Sequence, residues 1–120
     1  MSLNLYSDIK LRCLKANLNI RSHNLTIFTF GNVSLIDREK KIIAIKPSGV
    51  PYEELNEEKI VILDLEGNII EGTLNPSSDT KTHIYLYQKW GEINSICHTH
   101  STYAVGWSQS LQDVTVYGTT

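Results

Sequence analysis

The feature that most constrains the fold is a pair of short apolar runs that occurs twice along the chain. Residues 33–36 and 42–45 flank the charged stretch 37–41, and residues 60–63 and 69–70 flank a second polar turn. Short aliphatic runs around a polar turn are typical of β-hairpins. The sequence therefore predicts two successive hairpins, and hence a sheet with antiparallel neighbours.

The remaining segments predict helices around this sheet. Residues 8–20 contain no glycine or proline and place Leu11, Leu14 and Leu18 at helical spacing, which predicts an amphipathic helix. Further strands are predicted at 25–30, 93–100 and 114–117, and further helices at 79–90 and 101–110. Hairpins mixed with helical crossovers favour an α/β (α+β) fold, with a mixed, largely antiparallel sheet layered with helices.

The composition is typical of one globular domain spanning residues 1–120. A chain of 120 residues is long enough to bury a core without disulfides or a structural metal. The net charge of −2 argues against a nucleic-acid-binding protein, and no apolar stretch is long enough for a membrane span. Cys13 and Cys97 form no CxxC pair and are interpreted as two buried thiols. We therefore expect a cytoplasmic protein with neither nucleic-acid nor membrane partners.

His98-Thr99-His100 is the strongest local sign of chemistry. On a strand, residues i and i+2 share one face roughly 6.6 Å apart, so two imidazoles can approach one metal ion. Neutral imidazole suits zinc, which makes zinc the first choice. The alternative is a pair of polar side chains on a solvent-facing strand, and two ligands alone do not complete a site. His83 is interpreted as a surface or core-edge histidine.

Three other short segments have the chemistry to bind an anion. Ser77 and Ser78 precede a predicted helix, whose first N–H groups favour phosphate, although these residues with Asp79 are also typical of a helix cap. Gly31-Asn32 and Ser48-Gly49 each combine a glycine with a small polar side chain, which permits close backbone approach to an anion but is also ordinary turn chemistry. These segments form a site only if the fold brings them together.

Five motifs follow one another in a characteristic order: TFGNVS at 29–34, KPSGV at 46–50, PSSDT at 76–80, HTHS at 98–101 and GTT at 118–120. Together they resemble the ordered motifs of the L-ribulose-5-phosphate 4-epimerases, in the class II aldolase and epimerase superfamily. The resemblance covers essentially the whole chain and implies the α/β/α fold of that superfamily. The alternative is a class II aldolase that cleaves a ketose phosphate such as L-fuculose 1-phosphate. Those aldolases typically have a glutamate where this chain has Asp79.

The resemblance also implies a role for each motif. His98 and His100 would ligate zinc or another divalent metal, with Asp79 beside or on the metal as a catalytic residue. Six residues would bind a phosphorylated ketopentose, chiefly through its phosphate: Gly31, Asn32, Ser48, Gly49, Ser77 and Ser78. The implied reaction interconverts L-ribulose 5-phosphate and D-xylulose 5-phosphate by retro-aldol cleavage and re-addition. The implied assembly is a homo-oligomer, a tetramer in full-length members.

The resemblance further indicates a truncated protein, the N-terminal half of such an enzyme. Full-length members supply a third metal histidine, an aspartate acid/base and a tyrosine from sequence beyond the GTT motif. We therefore expect an incomplete metal site and negligible turnover from the 120-residue chain. A catalytically silent fragment with an interaction role is the remaining alternative.

Overall fold

The computed structural model describes residues 5–118, which contain one antiparallel sheet and three α-helices. The strands are β1 (Asn32–Asp37), β2 (Ile42–Ile45), β3 (Val61–Asp64), β4 (Ile69–Glu71) and β5 (Ser95–His98). The helices are α1 (Ser7–Ser22), α2 (Thr80–Lys89) and α3 (Thr102–Gln109), with two short 3₁₀ turns at Tyr52–Glu54 and Glu57–Lys59. The strands lie in the order β4-β3-β2-β1-β5, and every neighbouring pair is antiparallel. Within residues 5–118 no helix is long and apolar enough to cross a membrane.

Both predicted hairpins are present, and the alternation of side chains along them builds two hydrophobic layers. On one face, Ile42, Ala44 and Ile62 pack with Cys13 of α1. On the other face, the intervening aliphatic side chains of β2 and β3 pack with Tyr87 of α2. Because successive strand residues point to opposite sides, two short hairpins are enough to bury both faces under helices. The predicted layered α/β/α fold with an antiparallel sheet is confirmed.

Two predicted strands are not strands in the structure. Residues 25–30 are irregular: Phe28 has a φ of +55°, and the N–H of Phe30 donates to the carbonyl of Ile27 in a turn. Residues 114–117 are exposed and pair with no strand among residues 5–118. Both runs have β-prone composition, but a strand forms only where a neighbour takes its backbone hydrogen bonds. The strand predicted at 93–100 is shorter than expected and ends at His98.

Helix α1 is where the sequence predicts it, but the predicted face is only partly the buried one. Leu11 and Leu18 are exposed, whereas Ile9, Cys13 and Asn17 follow one another at intervals of four residues and are buried. Of the three leucines, Leu14 is partly buried against the core. The leucine spacing therefore predicted the buried face only in part, because α1 also directs a polar residue, Asn17, at the sheet. The cysteine interpretation is correct only for Cys13, since Cys97 is exposed.

A buried polar cluster interrupts the apolar layer between β1 and α2. Hydrogen bonds join the hydroxyl of Ser34 to Nδ1 of His83 at 2.6 Å and to the hydroxyl of Tyr87 at 2.7 Å. Burial lowers the pKa of His83 to about 4, with a further lowering from His98 that is opposed by the carboxylate of Asp79. His83 is therefore neutral in the folded protein across the physiological range.

The pKa of His83 predicts a loss of stability in acid. The unfolded chain binds a proton at His83 near pH 6.5, whereas the folded chain binds it only near pH 4. Below pH 6.5 the unfolded state therefore holds the extra proton, and the free energy of unfolding falls by up to about 1.4 kcal/mol per pH unit until pH 4. Urea unfolding measured between pH 7 and 5 should show this slope in the wild type and a shallower slope in His83→Asn. Ser108, an exposed serine on α3 that carries no titratable group, provides the control, since Ser108→Ala should keep the wild-type slope. Identical slopes for wild type and His83→Asn would contradict the assignment.

Candidate active site

One cavity of about 320 Å³ brings together all nine residues that the sequence singles out. They are Gly31, Asn32, Ser48, Gly49, Ser77, Ser78, Asp79, His98 and His100. Thr29, Phe30, Lys46 and Pro47 complete its lining. Segments that are ordinary turns when considered one at a time therefore form a single polar cleft at one end of the sheet.

The sheet register and one loop contact create this cleft. Asn32 at the start of β1 lies opposite His98 at the end of β5, because antiparallel neighbours place a strand start beside a strand end. Beyond β2, the N–H of Ser48 donates to the carbonyl of Asn75 at 2.9 Å. The N–H of Ser77 donates to the carbonyl of Lys46 at 3.0 Å. These bonds hold the loop after β2 against the loop before α2.

Asp79 receives hydrogen bonds from both sides of the cleft. Its Oδ2 accepts from Nδ2 of Asn32 at 2.8 Å and lies 2.9 Å from Nδ1 of His98. The carboxylate makes no capping bond to α2, so the helix-cap interpretation does not account for it. Burial tends to raise the pKa of Asp79, but the hydrogen bond from Asn32 and the charge of His98 outweigh burial and hold that pKa below its usual value. Asp79 is therefore a carboxylate at neutral pH.

Asn32 links Asp79 to the paired serines. Besides the bond to Asp79, its Nδ2 donates to the hydroxyl of Ser77 at 2.8 Å. The amide oxygen of Asn32 is buried and has no hydrogen-bond partner among residues 5–118. A buried acceptor without a partner is rare in folded proteins, and in a cleft it suits a ligand that donates a hydrogen bond.

The two histidines of the HxH motif lie side by side. The ring centres of His98 and His100 are 4.9 Å apart, and Phe30 stacks on His100 at 5.4 Å. Carboxylate oxygens and imidazole nitrogens are common zinc ligands. Asp79 and His98 lie within hydrogen-bond distance of each other. Within residues 5–118, however, no three histidine, cysteine or acidic side chains are arranged to hold a metal ion. The donors present fit part of a metal site.

Lys46 is a lining residue to which the sequence analysis gave no role. Its buried ammonium donates to the carbonyls of Thr29, Pro47 and Val50 at 3.2, 3.4 and 3.3 Å, and lies 4.7 Å from the centre of the Tyr52 ring. Burial lowers its pKa. No carboxylate pairs with it among the described residues, so its positive charge favours an anion in the cleft. The sequence signal that could have indicated a buried lysine is the position of Lys46 directly after the apolar run of β2.

Two solved structures that this chain resembles are named L-fuculose 1-phosphate aldolase. An L-fuculose 1-phosphate aldolase is 39% identical with a TM-score of 0.84, and the match covers 88% of this chain and 50% of that one. The L-fuculose-1-phosphate aldolase from Thermus thermophilus is 26% identical with a TM-score of 0.72, over 89% of this chain and 54% of that one.

The sequence family agrees with the fold. The model of the Class II Aldolase and Adducin N-terminal domain matches residues 12–119, so the chain belongs to this family. Curated relatives named L-ribulose-5-phosphate 4-epimerase UlaF, from Salmonella paratyphi B and Salmonella typhi, are 43% identical over 112 residues. These matches cover 93% of this chain and 49% of each relative. The chain thus spans about half the length of the curated relatives it matches.

Gly31 allows the backbone of the cleft to pass close to its neighbours. Its φ is +77°, and an added Cβ would lie 2.5 Å from Cγ2 of Thr26 and 3.0 Å from the carbonyl oxygen of His98. Gly49 has a similar φ of +71°, but a Cβ there would meet nothing within 4 Å. The two glycines therefore share the backbone requirement and differ in the space around them.

This difference predicts unequal costs for the two alanine substitutions. Gly49→Ala should lower the free energy of unfolding by about 1 kcal/mol through the unfavourable φ alone. Gly31→Ala should lower it by on the order of 1–3 kcal/mol more, because the added methyl group also overpacks its surroundings. Chemical denaturation of both variants tests this comparison. Equal losses would show that the close approach at Gly31 does not constrain the cleft.

Proposed function

We propose that this chain carries the phosphate-binding and metal-binding part of a sugar-phosphate epimerase that interconverts L-ribulose 5-phosphate and D-xylulose 5-phosphate. The observation that supports this most is the convergence of the nine predicted residues on one cavity. The epimerase name of relatives that are 43% identical supports the choice of substrate. As a phosphorylated ketopentose is an intracellular metabolite, the proposal agrees with a cytoplasmic protein.

Asp79, His98 and His100 would hold the metal, zinc or another divalent ion. Bound there, the metal would supply Lewis-acid polarisation of the oxygen atoms of the sugar. The structure gives Asp79 the charge for this role, since its pKa lies below the usual value and it accepts two hydrogen bonds. In this proposal Asn32 orients the carboxylate, and Phe30 orients the ring of His100 by stacking on it.

The other side of the cleft would hold the phosphate. Ser48 and Gly49 belong to the loop after β2, and Ser77 and Ser78 to the loop before α2, and hydrogen bonds join the two loops. Hydroxyls and backbone N–H groups from these loops would bind the phosphate oxygens, with the positive charge of Lys46 behind them. A firmly held phosphate keeps a cleaved fragment in place for re-addition, which is a positioning role.

A class II aldolase is the second candidate. The solved L-fuculose 1-phosphate aldolase is 39% identical to this chain and has a TM-score of 0.84. A protein named as an aldolase therefore shares the fold and a similar sequence, which supports this candidate. Both candidates require a phosphate site and a metal site, and they differ in whether the aldehyde fragment is retained or released. A silent fragment with an interaction role remains the third candidate.

We further propose that residues 1–120 form a single domain that assembles into a homo-oligomer. Large apolar side chains are exposed on and after α3, among them Tyr103, Leu111, Val116 and Tyr117. Strand β5 is also at the edge of the sheet within residues 5–118. Exposed apolar surface and open strand edges favour association with another chain.

Binding of L-ribulose 5-phosphate tests the proposed function. The zinc-loaded chain should bind L-ribulose 5-phosphate in a calorimeter and bind unphosphorylated L-ribulose at least about tenfold more weakly, since the phosphate bonds are charge-assisted. Ser78→Ala should weaken phosphate-dependent binding by several fold, whereas Ser108→Ala, an exposed serine on α3 outside the cavity, should not change it. Equal affinity for the two sugars would contradict the proposal.

The reaction products separate the remaining candidates. Appearance of D-xylulose 5-phosphate would support the epimerase, and release of free aldehyde would favour the aldolase. Negligible formation of both products is the result that we expect from residues 1–120 alone, and the phosphate-dependent binding then carries the test of the proposed substrate.

A further inference from the structure

The buried cluster of Ser34, His83 and Tyr87 has no role in the proposed reaction, yet it lies next to the cleft. Asn32 and Ser34 are two residues apart on β1 and point to the same side, so they are separated by about 6.6 Å. Asp79 and His83 are four residues apart, one helical turn, which corresponds to about 6 Å along the axis. The two spacings match closely. As a result, the Asn32–Asp79 bond and the Ser34–His83 bond run side by side between the same two elements.

We propose that Ser34 and His83 are positioning residues that set where Asp79 meets Asn32 and His98. The 2.6 Å bond between Ser34 and His83 fixes both the separation and the register of β1 and the first turn of α2. Asp79 lies at the start of that turn, and the N–H of His83 donates to its carbonyl at 3.1 Å. A shift of α2 along β1 would therefore move the Asp79 carboxylate away from the Asn32 amide.

Packing alone does not explain polar groups at this place. The side chains that surround this bond in the layer between the sheet and α2 include the aliphatic residues Ile36, Ile43 and Ile45. Apolar contacts are non-directional and tolerate small slides, whereas a hydrogen bond weakens steeply when its geometry changes. Nε2 of His83 is also buried without a hydrogen-bond partner among residues 5–118, which is an unfavourable arrangement for stability alone. The bond between Ser34 and His83 therefore adds something that apolar packing does not, because it fixes the position of α2 along β1.

Nuclear magnetic resonance on the metal-free protein tests the proposal at the atoms concerned. The probes are the ring nitrogens of His98 and the side-chain amide of Asn32, both bonded to Asp79. Ser34→Ala removes the bond to His83, and should shift both sets of signals towards those of the Asp79→Asn variant. Tyr87→Phe removes the other buried bond to Ser34, on the side away from the cleft, and should leave both signals near their wild-type positions.

His83 itself provides a rescue experiment. Asparagine retains a polar atom near the position of Nδ1 and can still bond to Ser34, whereas leucine cannot. His83→Asn should therefore resemble the wild type in the His98 and Asn32 signals, and His83→Leu should resemble Ser34→Ala. This pair also decides the question if Ser34→Ala does not fold. The proposal is overturned if His83→Leu or folded Ser34→Ala retains the wild-type signals, or if Tyr87→Phe shifts them as strongly.

Metal affinity gives a second readout, which rests on the proposed function. With Co²⁺ as the probe, Ser34→Ala should weaken binding about tenfold, as loss of outer hydrogen bonds does at other metal sites. Tyr87→Phe should remain within about twofold of the wild type, since it leaves the Ser34–His83 bond intact. Similar Co²⁺ affinities for wild type and Ser34→Ala would count against positioning. A wild-type chain that binds no Co²⁺ would instead overturn the proposed metal role, and the resonance signals would still decide the role of Ser34 and His83.

Discussion

The buried amide of Asn32 is the contact on which the candidate site depends. Its nitrogen donates at 2.8 Å both to Ser77 and to Asp79, so one side chain on β1 holds the loop that precedes α2. A side-chain amide is suited to this position because it has two donors on one nitrogen and no charge. An aspartate in its place would put a second carboxylate against Asp79. Asn32 also joins the two parts of the cleft, because Ser77 belongs to the loops proposed to bind the phosphate and Asp79 to the proposed metal ligands.

Side chains from two helices hold the strand that carries Asn32. On the α1 side, the buried side chain of Asn17 accepts from the N–H of Val33 at 2.8 Å and donates to its carbonyl at 3.0 Å, as a neighbouring strand would. On the α2 side, Ser34 bonds to His83. The two residues that follow Asn32 on β1 are thus fixed by side chains from two different helices. Functional groups on a strand held in this way need little reorganisation when a ligand binds.

The sequence contained enough information for the layered fold but not for all of its parts. Strand composition predicted the two hairpins because each run has a partner a few residues away. The same reasoning was wrong at 25–30 and 114–117, since composition does not reveal whether a partner strand exists. The buried face of α1 was predicted only in part, because Asn17, a polar residue, is used as a backbone partner for β1.

The site residues were predicted for a different reason. Gly31-Asn32, Ser48-Gly49 and Ser77-Ser78 are local turn signals, and only the order of the five motifs suggested that they meet. The bond between Ser34 and His83 was not predicted, since contacts between residues 49 positions apart leave no local pattern. The buried Lys46 was also not predicted, although it directly follows the apolar run of β2.

Anomalous diffraction from a zinc-soaked crystal tests the central claim most directly, namely that Asp79, His98 and His100 form one metal-binding end of the cleft. These three side chains are not arranged around one point in the absence of metal. The account predicts that they turn towards a zinc peak at about 2.0–2.2 Å from a carboxylate oxygen of Asp79 and from ring nitrogens of both histidines. Zinc ordered only elsewhere on the protein, with the Asp79–His98 hydrogen bond still in place, would contradict it.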